Sequence, residues 1–192
     1  MSEAQALLQR TFGDRALSGR DERIALIGLR GAGKTTLGAL LGRRRGVPFV
    51  ELDREIERVA GVPLATIFDF YGQAGFRRLE RQCLDAVIAE HPRFVLATGG
   101  SIVSEPATFD RLLQACYTVW LQTTPAEHMS RVVAQGDLRP MAGNQESMAE
   151  LRRILAGREQ LYRRADATVD TSDRPVEESL DALVAALPRY AV

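Results

Sequence analysis

Lysine is almost missing from this sequence. Among 25 basic residues, one is lysine, Lys34, and the rest are arginine. Charge of one sign is missing too: 25 basic residues face 25 acidic ones, for a formal net charge of zero. No overall field therefore draws the chain to nucleic acid or to an anionic membrane surface. With two cysteines, Cys83 and Cys116, and no metal-type spacing between them, neither a disulfide framework nor a zinc site is expected. Both read as buried, reduced thiols in apolar stretches. The two histidines, His91 and His128, are isolated and read as surface or helix-end residues. No apolar run approaches the roughly 18 residues of a membrane span, and no signal-peptide pattern precedes the first strand. The expected compartment is the cytoplasm.

What remains is an ordinary globular composition, 45% hydrophobic and 26% charged over 192 residues, enough for one domain with a full core. Residues 2–20 are polar and helix-favouring, with Ala4, Leu7, Leu8 and Phe12 at helical spacing. They read as a linker or N-terminal arm over 1–20, ahead of a domain over 21–192.

From Arg23 onward the pattern alternates strand and helix. Ile24–Ile27 is a short continuous apolar run, as befits a strand buried on both faces. Further strands are expected at 49–52, 94–97, 117–121 and 167–170. Helices are expected at 34–45, 53–59, 64–71, 73–90, 148–164 and 175–187. Another opens on the capping box Thr124-Pro125-Ala126-Glu127. Residues 134–147 read as a mobile loop. The alternation implies an α/β fold, a parallel sheet of about five strands with helices on both faces.

The lone lysine stands in Gly28-Leu29-Arg30-Gly31-Ala32-Gly33-Lys34-Thr35, the G-x-x-x-x-G-K-[ST] phosphate loop, between an expected strand and an expected helix. Backbone N–H groups of Gly28, Gly31, Ala32 and Gly33, together with Lys34, Thr35 and Thr36, are the candidate nucleotide cradle. A compact ammonium fits inside such a cradle where a planar guanidinium does not. Lys34 is placed to bridge the outer phosphates, and Thr35 to ligate Mg²⁺.

Separated motifs then carry a family resemblance. Glu51 to Glu57, Gly61, Ile67-Phe68, Gly72, Phe76 to Glu80, Thr98-Gly99-Gly100, Leu138-Arg139-Pro140 and Arg158 with Leu161-Tyr162 resemble the shikimate kinase family in order and spacing. The resemblance spans residues 23 to 187 and implies a P-loop NTPase-type three-layer sandwich with a lid loop over 134–147. It implies that Asp53 engages and activates the substrate hydroxyl. It further implies that Arg77 and Arg158 clamp a substrate carboxylate, that Gly99 and Gly100 let backbone approach the substrate ring, and that Arg139 closes over the phosphates. Lys34, Asp53 and Arg139 are then the catalytic candidates, and Thr35 with Glu51 the metal candidates.

Two positions depart from the family pattern: Ser101 stands where a third glycine is usual, and Glu51 where aspartate is usual. With the wording of 24–35, 135–144 and 151–159, they make the chain similar to the C-terminal domain of benzoyl-CoA-responsive transcriptional regulators. That resemblance implies an effector domain whose cradle holds the ADP moiety of a coenzyme A thioester. The acyl group would lie toward Ser101, and DNA would be bound only by a separate N-terminal head. The alternatives are a shikimate kinase using ATP and Mg²⁺ on a small carboxylate substrate, and a kinase for another acceptor such as a gluconate-type sugar acid.

Overall fold

The computed structural model describes residues 19–134 and 144–188. Five strands form one parallel sheet: β1 (Arg23–Ile27), β2 (Phe49–Glu51), β3 (Phe94–Ala97), β4 (Tyr117–Gln122) and β5 (Ala167–Asp170), in the spatial order β2-β3-β1-β4-β5. Between them run α1 (Lys34–Arg45), α2 (Leu52–Ala60), α3 (Leu64–Glu90), α4 (Pro106–Ala115), α5 (Pro125–Ala134) and α6 (Asn144–Tyr162), with α7 (Val176–Ala185) last. The fold is the expected α/β P-loop sandwich. The expected arm over 2–20, the lid over 134–147 and its Arg139 lie, for the most part or wholly, outside the described residues.

The continuous apolar strands divide their side chains by parity, because successive residues of a strand point to opposite faces. On β1, Ile24 and Leu26 join Leu37 and Leu41 of α1 and Leu180 and Leu183 of α7. Ala25 and Ile27 face the other way, onto Leu52, Ile56, Leu84, Phe109 and Tyr162. All of these are buried, and each fully buried Leu or Ile stabilises the fold by about 1.5–3 kcal/mol. Cys83 and Cys116 are buried free thiols, with burial pushing Cys116 up to about 12.

Two expectations change. Residues 106–115, for which no element is expected, form α4, whose Phe109 and Leu112 enter the core. The helices expected at 64–71 and 73–90 both form, as the two arms of α3, and the break between them falls at Gly72, whose φ of 61° and ψ of -173° are not helical. His128 is no surface residue: only 2% exposed, it packs beneath the phosphate loop.

The lower end of the sheet is held by Arg20. Its guanidinium grips Asp166 through two bonds of 2.6 and 2.7 Å, and Asp166 accepts from the backbone N–H and the hydroxyl of Thr118. The upper end collects the carboxyl ends of β1, β2, β3 and β4, where parallel α/β sheets place their ligands.

Candidate active site

A cleft of about 730 Å³ opens there, lined by Arg30, Gly31, Gly33, Lys34, Thr35 and Thr36 of the loop and α1, by Glu51, Asp53 and Glu57, and by Thr98, Gly99 and Gly100. That volume lies within the range of small-molecule sites. One wall comes from the turn after β1, another from α2 and a third from the turn after β3. The sheet order is what brings these three together, since β3 sits between β1 and β2.

The phosphate loop turns directly off β1. At Gly28 φ is +143°, and a Cβ there would come within 2.6 Å of the Leu121 carbonyl oxygen, so only glycine keeps the loop against β4. Lys34 is 9% exposed and donates from Nζ to the Gly28 and Leu29 carbonyls, 2.8 Å each. Burial foremost brings its ammonium down to about 8, helped by Arg30 and opposed by Asp53. Thr35 donates from Oγ1 to Glu51 Oε1 at 2.6 Å, and Arg54 pairs with the same carboxylate. A hydroxyl and a carboxylate side by side are hard oxygen donors of the kind Mg²⁺ takes together with phosphate oxygens. The longer Glu51 thus reaches Thr35 directly. Among the described residues no cluster of three or more His, Cys, Asp or Glu could hold a metal by itself.

Asp53 lies on the first turn of α2, where the positive end of the helix favours a carboxylate. Its Oδ1 is buried without a hydrogen-bond partner. Burial foremost, with Glu51 and Glu57 adding to it, pushes its carboxyl above the usual range, while Lys34 and Arg30 pull it down. A Cβ at Gly99 would sit 2.9 Å from Asp53 Oδ1, so the carboxylate rests on bare backbone. Gly99→Ala is expected to push Asp53 out of place. kcat in the assay below should fall by about 10²-fold, the cost of roughly 1 Å of misplacement, with little loss of nucleotide binding. Unchanged kcat would show that Asp53 has room to move.

Arg77, Ser101 and Arg158 lie outside the lining of this cleft. Arg77 pairs with Glu80 at 2.6 Å, and its guanidinium lies over the Phe76 ring. Arg158 donates to the Gly100 carbonyl at 3.2 Å. Ser101, partly buried, stands at the N-cap position of a single 3-10 turn over Ile102–Ser104, without a side-chain hydrogen bond to it. Arg139 lies outside the described residues.

Four contributions were not expected. Tyr162 donates to the Gly100 carbonyl at 2.7 Å and stacks on Trp120. Glu80 is fully buried, with Oε1 lacking a partner. Burial raises its pKa while Arg77 opposes that rise. Glu57 lines the cleft and accepts from the Leu64 N–H, starting α3. Glu127 accepts from Thr123, Thr124, Arg131 and the Asp173 N–H, with the Thr123 hydroxyl foremost in holding it down to about 2. The Thr124–Glu127 capping box and the place of Glu57, Glu80 and Tyr162 in motifs were their only hints in one dimension.

The family profile described as shikimate kinase matches residues 30–188. A protein of Synechococcus sp. (strain CC9605) named shikimate kinase is 38% identical over 90% of this chain and 84% of its own length. One of Nitrobacter winogradskyi, also named shikimate kinase, is 37% identical over 91% of this chain and 79% of its own. A solved structure, shikimate kinase from Acinetobacter baumannii in complex with shikimate, superposes with a TM-score of 0.76 at 30% identity, covering 85% of this chain and 90% of that one. These matches overturn the expected benzoyl-CoA-sensing regulatory role. Relatives covering nine-tenths of the chain carry the kinase name, and nothing among these matches supports a coenzyme A thioester effector or transcription regulation. The two departures behind that expectation are also mild in three dimensions. Glu51 meets Thr35, and the cleft lining runs through Gly99 and Gly100 and not Ser101.

Proposed function

The chain belongs to the shikimate kinase family, and from that premise we propose that it transfers the γ-phosphoryl group of ATP to a hydroxyl of shikimate. The observation that carries the reading is Asp53: a buried carboxylate oxygen without a partner, with a raised pKa, in one cleft with a phosphate loop and its lysine. A carboxylate so placed accepts a hydroxyl proton better than an exposed one, because its basicity is higher.

Each side chain then has a task. The loop's N–H groups hold the phosphates, and Lys34 moves its ammonium from the Gly28 and Leu29 carbonyls to the outer phosphates. Mg²⁺, held by Thr35 and Glu51, would supply charge neutralisation along the phosphate chain. Asp53 Oδ1 takes the proton of the attacking hydroxyl. Arg77 and Arg158 hold the acceptor's carboxylate, Arg77 kept in position by Glu80. Arg139 and Thr36 complete the phosphate contacts. Phosphoryl transfer needs little more than this positioning and charge stabilisation.

A coupled assay with ATP, Mg²⁺ and shikimate tests the reading. Turnover of about 1–10³ s⁻¹ is expected, and none with shikimate would overturn it. The pH profile of kcat/KM for ATP should be bell-shaped. Asp53 acts deprotonated and its pKa is raised, so the acid limb moves up from the ordinary carboxyl range. Lys34 acts protonated and its pKa is lowered, so the alkaline limb moves down to near pH 8. A profile flat to pH 10 would remove Lys34 from this role.

A further inference from the structure

Three consecutive carbonyls of the phosphate loop are held from behind, and not all by the same residue. Lys34 takes those of Gly28 and Leu29. The Arg30 oxygen lies 3.0 Å from Nδ1 of His128, which is 2% exposed. On the reading above, Lys34 gives up its two carbonyls when nucleotide arrives, and the hold on Arg30 stays.

That hold has a directional consequence. A peptide unit is planar and trans, so its C=O and N–H point opposite ways. With the Arg30 carbonyl turned toward α5, the N–H of Gly31 turns toward the cleft, which Gly31 lines. A carbonyl only accepts, so Nδ1 must carry the proton. We propose that His128 is a positioning residue for nucleotide binding, whose Nδ1–H anchors the Arg30 carbonyl and thereby aims the Gly31 N–H at a nucleotide phosphate.

The surroundings of the ring agree with this role. Among the described residues, the charges acting on it are Lys34 of α1 and Glu127 and Arg131 of α5, and Glu159 of α6 lines a small cavity with it. Burial foremost, then Lys34 and Arg131, hold the imidazole below its usual range, while the Arg30 carbonyl and Glu127 act the other way. The ring is thus neutral at pH 7, and its tautomer is set by the Arg30 carbonyl that Nδ1 meets. The helix beneath it is fixed as well. Glu127, the preceding residue, ties α5 to the turns before it and after β5 through Thr123, Thr124 and Asp173.

The inference rests on the kinase reading, and ADP binding separates the two, because it needs no turnover. Calorimetry on the full chain should find His128→Ala binding ADP about five- to tenfold more weakly, as for one lost hydrogen bond that aims a second, with shikimate affinity within about twofold of wild type. His128→Asn, whose amide nitrogen stands near the place of Nδ1, should recover most of the loss. Wild-type ADP affinity in His128→Ala would overturn the proposal, as would an Asn variant as weak as the Ala variant. Equal weakening toward both ligands with a lowered melting temperature would reduce His128 to packing, and also overturn it. A wild-type chain that binds no ADP would fell the kinase reading, and this inference with it.

Discussion

Asp53→Asn is expected to lower kcat by about 10²–10⁴-fold, the usual worth of a positioned general base, while leaving ATP affinity near that of the parent. Asparagine keeps the shape and the contact with Gly99, so the geometry of α2 and of the turn after β3 is retained. What is lost is the group that takes the proton. The same substitution is expected to stabilise the protein. In the folded state burial raises the Asp53 pKa, so the folded chain binds the proton more tightly than the unfolded one. That contribution is fully present only below the unfolded carboxyl pKa and is lost as pH rises through the folded value. At neutral pH the fold therefore carries an unfavourable charge, with Oδ1 unpartnered. A neutral amide removes it, and for a chain of this size each kcal/mol recovered lifts the melting temperature by about 2–4 °C. Steady-state kinetics and thermal melts on one preparation check both halves. An Asn variant with kcat within threefold of the parent would take the proton-acceptor role from Asp53.

Lys34→Arg is expected to be nearly as damaging as Lys34→Met, each lowering kcat/KM for ATP by about 10²–10³-fold. Charge is conserved in the first and lost in the second, so similar losses would place the requirement in shape. The lysine reaches a buried spot between two carbonyls 2.8 Å away. A planar guanidinium brings five donors and more bulk to a place with two acceptors, leaving donors unmet in a desolvated site. The pH dependence gives a second check. The alkaline limb assigned to Lys34 should vanish from the residual activity of Lys34→Arg, because arginine does not titrate there. An Arg variant within fivefold of the parent would show that a positive charge alone is enough.

Much of this was visible along the chain. Continuous apolar strands marked a doubly covered parallel sheet, and the parity of Ile24 to Ile27 between two cores bears this out. The phosphate loop was legible because its chemistry is local: glycines, lysine and threonine act within eight residues of one another. Helix α4 was not, since nothing at 106–115 distinguishes its short apolar spacing until Phe109 and Leu112 meet α3 and β4. His128 was misread for the same reason. One histidine on a ten-residue helix carries no sign of what lies beneath it, and the carbonyl it meets is 98 positions away.

The regulatory expectation failed differently. It drew weight from Glu51 and Ser101 as substitutions in a string, where a longer side chain or an added one looks disruptive. In space Glu51 closes on Thr35 and Ser101 stands beyond the lining, so neither position carries that inference. By itself the sequence determined an α/β chain with a phosphate-loop motif built around its one lysine, because contiguous residues determine strands, caps and the loop. Only the tertiary structure decided that Asp53 rests on Gly99 and that His128 stands behind Arg30. Those contacts arise where β3 enters the sheet between β1 and β2 and where α5 returns under the loop, and sheet order is not written in local pattern.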